Sequence, residues 1–235
     1  MTVSDTGNVA AVVPAAGLGK RFDRHDRKLF VTLLRQPLLA HTLRGLQASA
    51  SIRWIQVVAQ PKEHKRIQAL IHRYRITKAL PMCAGGDSRS ASVARGIAAL
   101  PRQARWVLVH DGARPCVTLP TIERTLRAAK RTGAAVCALP ALVTVKAVKR
   151  GFVKKTLNRR SLWFIQTPQA FRRDIIVGSL ERFRASLKQF PDDAALVEAA
   201  GHRVRVVLGE PFNLKVTTKE DLVLAEAILK YRAKH

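Results

Sequence analysis

Five short, largely apolar runs alternate along this chain with amphipathic segments of helical length. The runs cover residues 8–13, 54–59, 106–111, 134–139 and 203–209, and each is a candidate strand. The first, "NVAAVV", is nearly continuous, which is typical of a strand that is buried on both faces of a sheet. The amphipathic segments lie near residues 38–50, 62–74, 89–100 and 119–131. Strands and helices in this order predict an α/β fold, with helices on both faces of a mostly parallel sheet.

The segment over 142–166 departs from this alternation. Val145 and Val148 precede a turn signal at Arg150–Gly151, and further apolar residues follow it. This pattern predicts a β-hairpin or extended arm that turns near Arg150–Gly151. An arm that projects from an α/β body often packs on a second subunit. Because no internal repeat or low-complexity linker interrupts the chain, we expect a single domain over 1–235 that carries the arm.

The last segment of the chain carries a signal for the start of a helix. Thr217 and Glu220 are three residues apart, which is the spacing of a capping box. Leu222, Ala225 and Leu229 then recur at helical spacing. We therefore predict a closing helix whose first turn is capped by Thr217.

The charge balance of the chain is strongly basic. Lys and Arg number 42 against 16 Asp and Glu, a formal net charge of +26. Such a surface can bind nucleic acid, an anionic membrane face or many phosphates. The cations are spread along the whole chain, and aromatic residues, at 6%, are too few to interleave with them as in stacking grooves. A basic surface without a dedicated partner is the simpler interpretation, and a nucleic-acid-binding protein stays open as an alternative.

Targeting signals and cysteines indicate the compartment. The N-terminal stretch "MTVSDTGN" is polar and leads into no signal-peptide pattern. No apolar run approaches the roughly 20 residues of a membrane span. Cys83, Cys116 and Cys137 are odd in number and widely spaced, as expected of reduced thiols. Together these features predict a cytoplasmic protein without a membrane partner.

The loop "VVPAAGLGKRF", residues 12–22, follows the first predicted strand. It matches neither the P-loop nor the dinucleotide-binding loop, because it lacks the lysine spacing of the first and the third glycine of the second. Gly17 and Gly19 allow backbone N–H groups to approach an anion closely, and Arg21 and Lys28 add positive charge. The loop therefore suits the triphosphate of a nucleotide, with a plain βα turn as the open alternative.

Further polar motifs follow in the rest of the chain. In order they are "GGDSRSASV" (85–93), "VHDGARP" (109–115), "TVK" (144–146), "NRRSLW" (158–163), "TPQAF" (167–171) and "NLKVTTKEDLVLAE" (213–226). With the loop, they resemble, nearly end to end, the cytidylyltransferases of the non-mevalonate isoprenoid pathway, which couple CTP to 2-C-methyl-D-erythritol 4-phosphate. The resemblance implies a Rossmann-like three-layer nucleotidyltransferase fold with a mostly parallel sheet and a protruding β-arm.

The resemblance also implies roles for residues on the nucleotide side. Arg21 and Lys28 would contact the triphosphate and stabilise the charge that builds at the α-phosphorus. The remaining implied nucleotide contacts are Ala15, Ala16, Gly17, Gly19, Gly86, Asp87, Ser92 and Asp111. Asp111 would lie near the substrate hydroxyls and a divalent metal, Mg²⁺, that the CTP phosphates mainly hold. Arg114 is an implied substrate contact, and an ordinary salt bridge between Asp111 and Arg114 is the simpler alternative.

On the side of the second substrate, the resemblance implies that Thr144, Arg159 and Lys215 hold the polyol phosphate. Arginine suits a bidentate grip on phosphate, and lysine acts as a mobile point charge. Arg159 and Lys215 join the two cations of the nucleotide loop as the implied catalytic set. Thr144 and Arg159 lie in or beside the arm, so the resemblance implies a homodimer in which they complete the partner's site. By composition alone, Arg160 is as good a candidate as Arg159.

The implied reaction needs no protein base, because the substrate phosphate is already an anionic nucleophile. It would attack the α-phosphorus of CTP in line, and pyrophosphate would leave. The chain departs from the family pattern in two relevant places: Asn158 replaces a usual Asp, and "PDDAA" (191–195) replaces a more hydroxylated acidic motif. A ribitol-5-phosphate cytidylyltransferase, with the same chemistry on a longer polyol phosphate, stays open as an alternative.

Overall fold

The structure is a computed structural model that describes residues 8–17 and 28–234. Within these residues the strands are β1 (Val9–Pro14), β2 (Thr32–Leu33), β3 (Gln36–Pro37), β4 (Ile52–Ala59), β5 (Cys83–Ala84), β6 (Trp106–Val109), β7 (Ala134–Pro140), β8 (Val145–Lys149), β9 (Phe152–Leu157), β10 (Trp163–Arg172) and β11 (Arg205–Leu208). The α-helices of the same residues are α1 (Leu38–Gln47), α2 (His64–Arg73), α3 (Arg89–Ala98), α4 (Leu119–Thr132), α5 (Arg173–Arg182), α6 (Asp193–Ala199) and α7 (Lys219–Lys234). The strands and helices predicted from the alternating apolar pattern are all present, with ends shifted by a few residues at most.

Seven strands form one sheet, in the order β11-β7-β10-β6-β1-β4-β5. β10 runs antiparallel to both of its neighbours, β6 and β7, whereas the other neighbouring pairs are parallel. The predicted mostly parallel sheet is therefore confirmed. Because β1 lies between β4 and β6, its carboxyl end opens near the middle of the sheet, where ligands bind in folds of this kind.

The central strand β1 is buried on both faces of the sheet. Val9, Ala11 and Val13 pack into the core that α1, α2 and α4 cover. Ala10 and Val12 point the other way, into the core formed with α3, α5 and α6. Successive side chains of a strand face opposite sides, so a strand between two cores must be apolar throughout. The sheet therefore lies between two helical layers, the three-layer arrangement that the resemblance implied.

β8 and β9 pair antiparallel and form a two-stranded sheet apart from the main one. Arg150 and Gly151 connect them with φ values of 52° and 83°. Positive φ at both positions is what a two-residue hairpin turn requires, and the predicted turn is confirmed. Several large apolar side chains of this hairpin are exposed to solvent, including Phe152 at 79% and Val153 at 60%.

The arm predicted over 142–166 extends too far at its C-terminal end. Residues 163–166 belong to β10, where Trp163 pairs with Pro140 of β7, so this stretch is part of the main sheet. The strand was not predicted from the sequence because a proline, Pro168, lies inside it, and prolines argue against a central strand. The pairing with β7 shifts register between Ile165 and Gln169, on either side of that proline.

The cap of the closing helix also differs from the prediction. Asp221 Oδ2 accepts hydrogen bonds from the backbone N–H groups of Thr217 at 2.7 Å and Thr218 at 2.9 Å. Thr218 Oγ1 accepts in return from the Asp221 N–H at 3.3 Å. The reciprocal pair is therefore Thr218 and Asp221, one residue later than the predicted Thr217 and Glu220. The Thr217 hydroxyl donates instead to the Lys215 carbonyl at 3.0 Å.

Cysteines and helix lengths bear on the environment of the protein. Cys83, Cys116 and Cys137 are free thiols. Burial raises the pKa of Cys116 to about 11 and that of Cys137 to about 12, so both stay protonated and unreactive at neutral pH. Across 8–17 and 28–234, no helix combines the length and the apolar character that crossing a membrane requires.

Candidate active site

A cavity of about 790 Å³ opens beyond the carboxyl ends of β1, β4 and β6. Its walls are the loops that follow these strands and the N-terminal end of α3. The predicted site residues that line it are Ala15, Ala16, Gly17, Lys28, Gly86, Asp87, Ser92, Asp111 and Lys215. The topology of the sheet therefore brings together residues from separate sequence motifs at the edge where α/β proteins bind ligands.

Close packing shapes the glycine turn between β5 and α3. A Cβ atom on Gly85 would lie 2.3 Å from the Ala16 Cβ, and one on Gly86 would lie 2.6 Å from the Ala91 Cβ. The Ser92 hydroxyl accepts a hydrogen bond from the Gly86 N–H at 3.0 Å. These contacts support a structural role for Gly85, and they hold the backbone of Gly86 against the wall of the cavity.

The carboxylate of Asp111 follows β6 and is almost fully buried, with 7% of the residue exposed. Its Oδ1 accepts a hydrogen bond from Arg89 Nε at 3.0 Å, and its Oδ2 lies 2.8 Å from Lys215 Nζ. Burial by itself would raise the pKa of Asp111, but Arg89, Lys215 and Arg114 outweigh it and hold this pKa well below its usual range. Asp111 is therefore ionised at any physiological pH, with both oxygens oriented by cations.

Arg89 lies in the candidate site, although the sequence analysis did not select it. It begins α3 and lines the cavity. Its guanidinium joins two carboxylates, with Nε on Asp111 and Nη1 on Asp193 Oδ2 at 2.8 Å. Burial opposes the charge of Arg89, yet Asp193 and Asp111 outweigh this and raise its pKa. Although Arg89 stands inside the motif 85–93, nothing in its spacing distinguished it from the chain's other basic residues.

Comparison with known proteins identifies the arrangement. The model of the 2-C-methyl-D-erythritol 4-phosphate cytidylyltransferase family matches residues 9–231. The chain belongs to this family. The protein of that name from Desulforamulus reducens is 41% identical over 228 residues, covering 96% of this chain and 97% of its own. Its counterpart from Thermosynechococcus vestitus is 42% identical over 222 residues, covering 94% of this chain and 95% of its own.

Solved structures of the family share the fold. The 4-diphosphocytidyl-2C-methyl-D-erythritol synthase of Anaerococcus prevotii superposes with a TM-score of 0.85 at 30% identity, covering 96% of this chain and 97% of its own. The 2-C-methyl-D-erythritol 4-phosphate cytidylyltransferase of Thermus thermophilus gives a TM-score of 0.78 at 32% identity, with 93% and 98% covered. The nucleotidyltransferase fold implied by the motifs is thereby confirmed.

The family's nucleotide loop falls only partly within the described residues. Gly19 and Arg21 lie outside them, so the roles given to these two residues stay predictions. Gly17 and Lys28 stand at the two ends of the gap, and both line the cavity. The cavity therefore receives the trailing lysine of the loop at the position where the family resemblance expects a triphosphate.

Arg114 is placed differently from its predicted role. It is buried and is not among the residues that line the cavity. Its Nη1 donates to the Asn213 carbonyl at 2.6 Å, whereas its Nε is 3.8 Å from Asp111 Oδ2. The salt bridge between Asp111 and Arg114 is thus longer than the contacts of Asp111 with Arg89 and Lys215. Arg114 supports the site from below, packed between the loop after β6 and the loop before α7.

Thr144 and Arg159 do not line the cavity of their own chain. Both are exposed, Thr144 just before β8 and Arg159 in a short 3-10 helix after β9. Arg159 Nη1 donates to the Leu142 carbonyl at 2.5 Å. Asn158, the departure from the family's usual Asp, caps the short helix by accepting from the Arg160 N–H at 3.1 Å. The structure therefore leaves these two predicted phosphate ligands apart from the rest of the site.

His110 was also missed, and it supports the loop that carries Asp111. Its ring is fully buried, with Nδ1 3.1 Å from Thr167 Oγ1 and Nε2 3.3 Å from the Arg114 carbonyl. Burial, followed by the charge of Arg114, lowers the pKa of His110 to about 4. His110 is therefore neutral at physiological pH, and its ring links Thr167 to the backbone of Arg114 by hydrogen bonds.

Among the residues that the structure describes, the site offers few protein ligands for a metal ion. Of these residues, Asp87 and Asp111 are the carboxylates that line the cavity; Asp87 pairs with Lys188, and Asp111 with the cations already described. In the described ranges 8–17 and 28–234, no three His, Cys, Asp or Glu side chains converge as a metal site. This donor set fits a divalent ion whose ligands are mostly phosphate oxygens and water, with Asp111 as a protein ligand.

Proposed function

We propose that this chain transfers the cytidylyl group of CTP to 2-C-methyl-D-erythritol 4-phosphate, giving 4-diphosphocytidyl-2-C-methyl-D-erythritol and pyrophosphate for isoprenoid precursors. The observation that carries the proposal is the convergence of Lys28, Asp111 and Lys215 on one cavity in a chain of this family. Two cations beside a buried carboxylate suit a reaction that joins two phosphate-bearing substrates. The positive charge of the cavity would neutralise part of the negative charge that the two substrates carry.

The nucleotide half of the proposal rests on backbone and small side chains. Ala15 and Ala16 are 2% and 7% exposed and leave room beside the turn of Gly86 for the flat pyrimidine and its ribose. Lys28, with Arg21 as the implied second cation, would neutralise the charge that develops as pyrophosphate leaves. Fixed cations in a site with little water cost no reorganisation at the moment of reaction, which is why they lower the barrier.

The acceptor half rests on the pair of Lys215 and Asp111. The Lys215 side chain is 40% exposed, so its Nζ can meet an incoming phosphate without leaving Asp111. Asp111, being ionised, accepts hydrogen bonds from polyol hydroxyls and so places the phosphate. The phosphate oxygen then attacks the α-phosphorus in line, and the bond to the pyrophosphate oxygen breaks. No proton needs to be removed from the nucleophile.

We further propose that Mg²⁺ enters with CTP and that Asp111 is its protein ligand. When bound, the ion would supply positive charge at the phosphates. Arg89 and Lys215 keep Asp111 ionised, which is the form of a carboxylate that binds a metal ion. A single carboxylate suffices for this role, because Mg²⁺ at nucleotide sites takes most of its ligands from phosphate and water.

We also propose a homodimer built through the hairpin. Thr144 and Arg159 are exposed and outside the cavity of their own chain, as expected if each completes the cavity of a partner. Leu142 at 77%, Phe152 at 79% and Phe164 at 56% exposure form an apolar surface beside them. Several large apolar side chains exposed in one region of a chain are typical of interfaces. Free thiols throughout the described residues support a cytoplasmic enzyme.

The proposal is tested by measuring pyrophosphate release from CTP and Mg²⁺ with each of two acceptors. We expect release with 2-C-methyl-D-erythritol 4-phosphate and none above background with ribitol 5-phosphate. Lys28→Ala should lose about a hundredfold in rate while remaining folded, since it removes one cation from the leaving-group side. Release with ribitol 5-phosphate alone would move the protein to another substrate. No release with either acceptor would overturn the proposal.

A further inference from the structure

A buried carboxylate outside the cavity forms an ion pair with a cation that lines the cavity. Asp193 is the first residue of α6 and is 1% exposed. Its Oδ2 lies 2.8 Å from Arg89 Nη1, and the other edge of the same guanidinium donates from Nε to Asp111 Oδ1 at 3.0 Å. Asp193, Arg89 and Asp111 thus form a continuous chain of charged hydrogen bonds from α6 to the cavity.

The backbone beneath Asp193 is fastened to the main sheet. Gln169 of β10 donates to Asp192 Oδ2 at 3.1 Å and accepts from the Ala194 N–H at 3.0 Å. Asp192 Oδ1 caps the helix by accepting from the Ala195 N–H at 2.8 Å. Helix capping is therefore complete without Asp193. Its carboxylate is buried against Arg89 instead, and a charge in such a place is costly unless it is paired, as it is here.

We propose that Asp193 is a positioning residue for the acceptor half of the site. It holds one edge of the Arg89 guanidinium, so that Arg89 presents only Nε to Asp111. Asp111 Oδ2 then remains for Lys215 and for the substrate hydroxyls. The "PDDAA" motif, which the proposed reaction did not otherwise use, gains its role in this way.

Removing the charge of Asp193 frees half of the guanidinium. Arg89 can then turn its planar fork onto both oxygens of Asp111, because a fork of parallel N–H groups matches a carboxylate. Bidentate pairing would draw Asp111 away from Lys215 and from substrate hydroxyls. The pyrimidine and ribose contacts proposed for Ala15, Ala16 and Gly86 include none of these groups. Asp111 would also stay ionised beside a Mg²⁺ ion that the CTP phosphates mainly hold, so binding of CTP should change much less than binding of the acceptor.

The inference rests on the proposed function and is tested by kinetics on the full chain. For Asp193→Asn we expect the KM for 2-C-methyl-D-erythritol 4-phosphate to rise about tenfold, as for loss of one charged hydrogen bond, with the KM for CTP within about twofold. Glu198→Gln is the matched control, since it removes an exposed carboxylate charge from the same helix outside the cavity; it should leave both KM values within about twofold. Purely structural effects would lower the melting temperature without this split between substrates.

A second variant keeps the test decisive if Asp193→Asn folds poorly. Arg89→Lys leaves Asp193 with a cation but removes the fork that joins the two carboxylates. A lysine ammonium cannot hold both carboxylates in this geometry, so Asp111 Oδ1 loses its orienting contact and the acceptor KM should again rise. The double variant Arg89→Lys with Asp193→Asn should be no worse than Arg89→Lys alone. Equal changes in both KM values, additive effects or wild-type kinetics in Arg89→Lys would overturn the inference. An inactive wild-type enzyme would instead overturn the proposed function, so the two failures are distinguishable.

Discussion

Lys215 Nζ lies 2.8 Å from Asp111 Oδ2 across the base of the cavity. The two residues come from distant motifs, one after β6 and one before α7, and each sets the charge state or position of the other. An acceptor that binds here would meet a cation and an anion that already hold each other in place. Under the proposed function, this pair would recognise a phosphate and its neighbouring hydroxyls together.

Replacing Lys215 by methionine should abolish acceptor recognition rather than nucleotide binding. We expect kcat/KM for the acceptor to fall about a hundredfold, because a cation placed at the reacting phosphate is removed. Calorimetric titration with CTP should give an unchanged Kd. Lys230→Gln, on the same C-terminal part of the chain but paired with Glu226 outside the cavity, is the control and should behave as wild type. Equal losses in both variants would contradict the assignment.

The hairpin proposal predicts complementation between two inactive variants. Lys28→Ala removes a residue of a chain's own cavity, and Arg159→Ala removes one proposed to serve the partner. Mixed dimers would then contain one intact site. After subunit exchange of equal amounts, about a quarter of the wild-type activity should return, as random pairing of a two-fold dimer gives. Activity no higher than the sum of the separate variants would show that Arg159 does not act in the partner's site.

Two glycine-to-alanine substitutions should differ in effect: one in the tight turn before α3 should weaken CTP binding, and one within α5 should stabilise the protein. Gly85→Ala would place its Cβ 2.3 Å from that of Ala16, so the turn must shift; we expect CTP binding to weaken about tenfold or more. Gly178 lies within α5 with nothing within 4 Å of an added Cβ, so Gly178→Ala should raise the free energy of unfolding by about 0.5–1 kcal/mol. Unaltered CTP affinity in Gly85→Ala would show that the turn tolerates a side chain.

His110 predicts how stability changes with pH. Its pKa is lowered from 6.5 to about 4 in the folded protein, so the unfolded chain takes up a proton first as pH falls. Its contribution is complete above pH 6.5 and is lost between pH 6.5 and about 4, at up to about 1.4 kcal/mol per pH unit. Asp111 loses its own contribution only at lower pH, below its usual pKa of 3.8.

The measurement is urea unfolding across that window for the wild type and His110→Gln. The substitution is expected to destabilise the protein at neutral pH because a buried hydrogen-bonded ring is lost. It should also reduce the slope of the free energy of unfolding against pH, because the proton that His110 takes up on unfolding no longer contributes. Identical slopes in the two proteins would mean that His110 does not titrate as described.

The cap of α7 gives a compact test of the corrected helix start. Thr218→Ala should lower the free energy of unfolding by about 1 kcal/mol, because its hydroxyl and the Asp221 carboxylate bond reciprocally. Thr217→Ala should lower the free energy of unfolding by only about 0.3 kcal/mol, since the Thr217 side chain makes no hydrogen bond in the cap. The reverse order of the two losses would restore the cap predicted from the sequence.

Periodicity predicted most of the sheet because β1, β4, β6 and β7 are buried on both faces, and apolar runs are the direct record of such burial. β10 escaped because Pro168 interrupts it and its first residues are exposed. The same limit applies to the closing helix: Thr217 and Thr218 both precede an acidic residue at the capping distance, and only geometry separates them.

The site shows a similar division. Lys28 and Lys215 were found because motif resemblance places them, and both line the cavity. Arg89 was not selected because its contact with Asp193 joins residues far apart in sequence, and no local pattern reveals the burial of Asp193. Arg114 shows the converse: although it is close to Asp111 in sequence, it does not make the shortest contact with that carboxylate.

In the proposed reaction, the acceptor's phosphate itself attacks the α-phosphorus of CTP. This attack can be tested by labelling the non-bridging phosphate oxygens of 2-C-methyl-D-erythritol 4-phosphate with ¹⁸O and analysing both products by mass spectrometry. We expect all the label in 4-diphosphocytidyl-2-C-methyl-D-erythritol and none in pyrophosphate, because an acceptor oxygen becomes the bridge between the two phosphorus atoms. Label in pyrophosphate, or CMP formed without the coupled product, would contradict it.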